Sequence, residues 1–144
     1  MIDRIDHFVL TVRSVDVTCG FYTSCLGFRR VDREGGPTSL RFGRQKINVH
    51  QADHPFEPKA RKPTEGSADF CLIAAVPLRD VLDRLARLEV PVELGPVERH
   101  GALGPMRSIY FRDPDGNLVE VSEYLDPDPS DIPDTAEAID THRP

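Results

Sequence analysis

The pattern of apolar and polar positions runs through this chain twice. Residues 6–12 (DHFVLTV) alternate in the manner of a half-buried strand, and residues 68–74 (ADFCLIA) repeat that run. In each half, a helical pattern and then further strand-like runs follow. A repeat of this length predicts two similar modules, each built as strand, helix and three strands.

The first helix has clear end signals. Ser14 is a favourable N-cap and Gly27 a favourable residue just beyond the helix, so the pattern predicts a helix over 15–26. Apolar residues within it recur at spacings of three and four, which gives it one buried stripe. The remaining strands of this half are predicted at 5–12, 28–33, 40–43 and 46–51.

The second half restarts with a strand at 67–75. Pro77 suits the first turn of a helix whose apolar stripe continues to Leu88. Pro91 and Pro96 interrupt the next strand-like run, 90–97, and this predicts an edge position. Residues 100–105 are predicted to be a flexible loop, and 106–112 and 117–124 a hairpin around the turn 113–116.

Changes in composition along the chain indicate where the domain begins and ends. We expect module one at 1–52, a proline-rich linker at 53–66, module two at 67–124, and a disordered acidic tail at 125–144 that holds six acidic residues against Arg143. The fold class is therefore α+β, with paired βαβββ modules. A helix covers only one face of each sheet, so the open faces can form a curved mixed sheet around a cavity.

Charge and hydropathy exclude several functions. The chain has 144 residues and a net charge of −6, with no basic stripe to suggest nucleic-acid binding. No apolar stretch is long enough to span a membrane, and the N-terminus does not resemble a signal peptide, so we expect a cytoplasmic protein. The three cysteines form no disulfide framework and are expected to be small buried thiols.

Four chemically active residues occupy equivalent positions in the two halves. His7 matches Asp69 in the first strand of each half, and His50 matches Glu120 in the last. Strand alternation places all four on the face away from the helix. Unpaired charges buried on such a face would be costly, so a shared partner is expected there.

Three runs carry a resemblance to a known family: residues 5–12 (IDHFVLTV), 21–28 (FYTSCLGF) and 110–121 (YFRDPDGNLVEV). They resemble the vicinal oxygen chelate superfamily, which groups glyoxalases, bleomycin-resistance proteins and extradiol dioxygenases. Residues 42–50 (FGRQKINVH) and 56–60 (FEPKA) resemble its small glyoxalase-domain-containing protein 5 group and bacterial "virulence protein" relatives. The resemblance covers 1–124 and leaves out the tail.

The resemblance implies a divalent metal at the centre of the cavity, namely Zn, Ni, Fe(II), Mn or Co. Carried over by position, its ligands would be His7, His50 and Glu120, with Asp69 standing where related metalloenzymes usually have histidine. Glu120 would also serve as the proton acceptor. The expected substrate-binding residues are Thr11, Arg41, Asn48, His100, Ser108 and Tyr110.

Two functions follow from this resemblance. The first is a metal-dependent enzyme of glyoxalase or dioxygenase type, which acts on a small substrate with two adjacent oxygens chelated to the metal. The alternative is a bleomycin-resistance-like protein that binds a small molecule without catalysis. The family also implies a homodimer.

Overall fold

A computed structural model describes residues 1–126 of the chain, and the predicted tail lies outside them except for its first two residues. The described chain has two helices and eight strands. They are β1 (His7–Val12), α1 (Val15–Leu26), β2 (Arg29–Val31), β3 (Thr38–Phe42), β4 (Gln45–Gln51), β5 (Asp69–Ile73), α2 (Leu78–Arg87), β6 (Leu94–Gly101), β7 (Gly104–Arg112) and β8 (Leu118–Tyr124).

The two predicted βαβββ modules are confirmed, each with its own four-stranded mixed sheet. The strand orders are β1-β4-β3-β2 and β5-β8-β7-β6. By contacts, the first compact unit comprises Met1–Ala68 with Arg112–Leu118, and the second comprises Asp69–Phe111 with the described residues from Val119 onward. The 112–118 turn of the second repeat therefore belongs to the first unit.

In the first unit, β1 and β4 are parallel and the other strand pairs antiparallel. The Ser14 hydroxyl accepts a hydrogen bond from the Val17 amide, and Gly27 ends α1 with a φ of 71°. The predicted bounds of α1 are thus confirmed. Leu40 and Ile47 pair across β3 and β4 and are fully buried on the face that α1 covers.

The 112–118 turn is attached to α1 through buried carboxylates. The Tyr22 hydroxyl donates to Asp113 at 2.8 Å, and the Asn117 amide group donates to the same carboxylate. Asp115 accepts from the backbone and guanidinium of Arg13. Since Tyr22 is fully buried, an acceptor for its hydroxyl is needed to offset the loss of water.

In the second unit, α2 covers its sheet with Leu78, Val81 and Leu85, all buried. The carboxylate of Glu123 accepts from the Leu78 amide at the start of the helix and also pairs with Arg107. The burial of alternate residues in β8, including Val119 and Val121, agrees with the predicted strand faces.

Three sequence predictions need correction. The loop predicted at 100–105 is wrong, because β6 extends through His100 to Gly101 and pairs with β7. A register shift between Leu94 and Val97 accommodates Pro96 at the edge of the sheet, so the predicted edge position is confirmed while the bounds move. Cys71 was predicted to be buried, yet it is exposed.

No helix among residues 1–126 is long and apolar enough to cross a membrane.

Candidate functional site

The face of the first sheet that lies away from α1, here called the open face, carries its polar residues in rows. Thr11 pairs with His50, and Val9 pairs with Asn48, across the parallel β1–β4 junction. Because side chains alternate along a strand, these residues point away from the buried Leu10 and Val49. The predicted parity of β1 and β4 is therefore confirmed.

A cavity of about 520 Å³ lies over this face. Its floor comes from β1 and β4, and its wall from residues 58–68, here called the strap. The lining residues are Val9, Leu10, Thr11, His50, Pro58, Lys59, Ala60, Lys62, Pro63, Thr64, Ser67, Ala68 and Asn117. The predicted linker is thus more than a connection, since it encloses a space of the size that small ligands occupy.

His50 is the buried titratable group on the floor of this cavity. Its residue exposure is 7%, and its ring lies 5.3 Å from the ring of Phe56. Burial lowers the pKa of the imidazole, because the charged form is poorly solvated there. His50 is therefore neutral at physiological pH and has a nitrogen that can accept a proton.

Asn48 occupies the next row of the open face. The residue is 9% exposed, and its side-chain oxygen is the one buried side-chain polar atom without a hydrogen-bond partner in residues 1–126. An unpaired buried acceptor costs about 1–3 kcal/mol. A ligand that donates a hydrogen bond on this face would remove that cost.

A third row crosses all four strands of the sheet. Pairing places His7 beside Lys46, Lys46 beside Arg41, and Arg41 beside Arg29. We call Lys46, Arg41 and Arg29 the cationic row. No carboxylate within residues 1–126 lies within 4.0 Å of their charged nitrogens, whereas Arg30 on the opposite face pairs with Asp16 and Asp32.

His7 lies at the end of this row. Its Nδ1 is 2.7 Å from the carboxylate of Asp6, which leaves Nε2 for another partner, as in many metal-ligating histidines. His50 pairs with Thr11, which follows His7 by four residues on β1. The two histidines are therefore about 13 Å apart along the strands. A four-ligand site that included both histidines would require them to close this separation.

On the second sheet, the predicted residues lie on the face away from α2. Glu120 accepts a hydrogen bond from Ser122 at 3.2 Å. The Ser122 oxygen also lies 2.6 Å from that of Ser108 and 3.2 Å from the Cys71 sulfur. Asp69 is exposed at the start of β5.

Two further predicted residues lie in the β6–β7 hairpin. The hydroxyl of Tyr110 accepts from the Arg99 guanidinium at 3.0 Å. His100 pairs with Pro105, so strand alternation turns it to the face opposite Arg99 and Tyr110. The second unit therefore presents Tyr110, and not His100, on the same side as Ser108.

Within residues 1–126, no three or more histidine, cysteine, aspartate or glutamate side chains come together in a way that could hold a metal ion. The described residues thus do not form a complete metal site, and we derive no reaction step through a metal. The four predicted ligands remain a prediction.

Two lysines of the site were absent from the sequence prediction. Lys59 and Lys62 line the cavity from the strap. Strand alternation identified His50, Thr11 and Asn48, but the strap has no periodicity from which a facing side chain can be inferred. The available signal was its composition, with two lysines between the two prolines that bound 58–63.

Comparison with known proteins identifies the family. The profile of the Glyoxalase/Bleomycin resistance protein/Dioxygenase superfamily matches residues 4–121. The chain is 50% identical to Virulence protein STM3117 of Salmonella typhimurium over 87% of both chains. It is 46% identical to Glyoxalase domain-containing protein RDO1 of Mycosarcoma maydis, over 85% of this chain and 69% of that protein.

Solved structures agree. The crystal structure of the Salmonella protein has a TM-score of 0.84, covering 87% of this chain and 99% of that one. Lactoylglutathione lyase from Agrobacterium tumefaciens is 27% identical with a TM-score of 0.66, over 85% of this chain and 95% of that one. With an α+β fold of paired βαβββ modules and these matches, the chain belongs to the glyoxalase/bleomycin resistance protein/dioxygenase superfamily.

Proposed function

We propose that this chain is an enzyme of glyoxalase type that acts on a small molecule with two adjacent oxygen atoms. The observation that carries the proposal is the buried, neutral His50 on the floor of the cavity, beside the Thr11 hydroxyl. A neutral imidazole in an enclosed site is suited to accept a proton from a carbon next to a carbonyl group.

The other lining groups support this chemistry. Removal of that proton leaves negative charge on the substrate oxygens, which the ammonium groups of Lys59 and Lys62 would stabilise. The Thr11 hydroxyl would orient one oxygen, and Pro58 and Pro63 would limit the access of water. Lys59 is already paired with Glu57 at 2.7 Å, so Lys62 is the stronger candidate.

A bound divalent metal is part of the proposal because the family resemblance implies one. By position, that resemblance made His50 a ligand and Glu120 the proton acceptor. We propose His50 for proton transfer instead, which leaves His7 and Glu120 as the ligands that the family pattern implies, with Asp69 less favoured. The Asp6 carboxylate, which would orient His7 for a metal, supports this division. A bound Zn, Ni, Fe(II), Mn or Co ion would supply Lewis acidity.

A homodimer is also proposed. Val9 and Ile73, on the open faces of the first and second sheets, are 45% and 54% exposed. Apolar side chains on otherwise polar faces are typical of surfaces that a partner covers. Light scattering coupled to size exclusion measures the state directly.

Turnover of the hemithioacetals formed from 2-oxoaldehydes and thiols, and of catechols with Fe(II), tests the enzyme proposal. Each assay uses tag-free protein whose metal content has been measured. We expect His50→Gln to lower turnover by at least ~100-fold, because the amide cannot accept a proton. The control is His54→Gln, since His54 is four residues away with a side chain 81% exposed.

Two outcomes would contradict the proposal. Equal turnover in the two histidine variants would remove His50 from the chemistry. Ligand binding without turnover in any metal-loaded form would favour the alternative, a bleomycin-resistance-like binding protein.

A further inference from the structure

The open face of the first sheet carries positive charge that the described chain leaves unpaired. Arg41 is exposed between its two row neighbours, Lys46 and Arg29, at adjacent positions on three strands. Like charges directly opposite each other destabilise a sheet. Lys46 does act on Asp6, whose pKa is lowered mainly by its hydrogen bond to His7 and to a smaller extent by the charge of Lys46.

A second observation at the same place concerns Asn48. It follows Lys46 by two residues on the same face, so the two rows are about 7 Å apart. Its buried side-chain oxygen has no donor within residues 1–126. A carbonyl oxygen of this kind accepts hydrogen bonds, so the missing partner is an O–H or N–H group.

From these two observations we infer that the cationic row and Asn48 form a binding site for a hydroxylated organic anion. The guanidinium and ammonium groups hold its carboxylate or phosphate, and a hydroxyl of the same molecule donates to the Asn48 oxygen. The inference deepens the proposed function, on which it rests, by giving the substrate class a negative charge at the end away from His50.

Direct binding tests this without any assay of activity. The probes are glycerol 3-phosphate, D-glycerate, sulfate and glycerol, titrated calorimetrically into the full chain at low ionic strength. The first two carry both anion and hydroxyl and distinguish phosphate from carboxylate. Sulfate lacks the donor and glycerol lacks the charge, so both are expected to bind more weakly.

The arginine variants are chosen at exposed positions, which tolerate change. Arg41→Gln and Arg29→Gln are each expected to weaken binding of the better anion about tenfold, through loss of a charge-assisted contact. Arg44→Gln makes the same charge change in the β3–β4 turn, outside the row, and is expected to leave affinity within about twofold. Asn48→Ala is expected to remove the preference over sulfate.

Equal losses in Arg41→Gln and Arg44→Gln would overturn the inference, as would glycerol binding as tightly as the anions. Failure of both glycerol 3-phosphate and D-glycerate to bind would also overturn it. Because the readout is affinity alone, these outcomes leave the turnover test of His50 unaffected.

Discussion

The fold changes the acid–base properties of His50. A solvated imidazole titrates near pH 6.5, but burial on the cavity floor lowers the pKa of this one. The folded protein therefore favours the neutral form at pH values where the unfolded chain would bind a proton. The same burial that keeps the His50 ring neutral also makes stability depend on pH.

We expect the free energy of unfolding to fall as the pH drops below about 6.5, because the unfolded chain takes up a proton that folded His50 resists. Above that range, both states are neutral at this residue and it contributes no pH dependence. Chemical denaturation between pH 8 and pH 5 measures the slope. His50→Gln should flatten it, and His54→Gln should not; equal slopes in wild type and His50→Gln would contradict the expectation.

At the scale of elements, the strap contains no helix or strand, yet it packs closely against neighbouring backbone at Gly66. Gly66 has a φ of 74°, and a Cβ atom there would lie 2.6 Å from the backbone oxygen of Asp115. The strap therefore meets the 112–118 turn with no room for a side chain. This contact fixes the wall of the cavity relative to its floor.

Gly35 offers a matched comparison, since its φ is 71° and a Cβ atom there would meet nothing within 4 Å. Gly35→Ala should cost about 1–2 kcal/mol of unfolding free energy, from the left-handed backbone alone. Gly66→Ala should cost about 1–3 kcal/mol more, because backbone must move. Thermal or urea unfolding of both variants measures the difference, and equal costs would show that the strap moves aside freely.

The elements also show how far sequence reasoning reaches. The cap residues and stripe of α1 are local signals, so its bounds were predictable. The bounds of β6 were not, because pairing with β7 keeps His100 in a strand despite the nearby glycines. Alternation placed Asn48 and His50 on the open face, but the strap that encloses the cavity over His50 depends on contacts distant in sequence.

At the scale of the whole molecule, the two units are not the two halves of the sequence. The turn between β7 and β8 belongs to the first unit. There the carboxylate of Asp113 accepts a hydrogen bond from the Tyr22 hydroxyl. Repeat analysis could find two similar modules, but it could not show that the second repeat supplies part of the first unit.

Residues 1–68 expressed alone should consequently fail to fold cooperatively, because the buried Tyr22 hydroxyl would lose its acceptor at a cost of about 1–3 kcal/mol, together with the packing of the turn. Adding a peptide of residues 110–119 should restore structure, as followed by circular dichroism and amide NMR spectra. A peptide with Asp113→Ala is the control. A fragment that melts cooperatively by itself would contradict the expectation.

The exposed Cys71 has a practical consequence for following these events in solution. Cys19 and Cys25 are buried, so the native chain offers one thiol to a maleimide dye or a nitroxide, and no engineered cysteine is needed. Partial burial of the Cys71 thiol raises its pKa. A mildly alkaline buffer is therefore the better choice for coupling, because the thiolate is the reactive form. A label there would sit beside Ser122 and Glu120, where its mobility and fluorescence would register whatever comes to cover that surface.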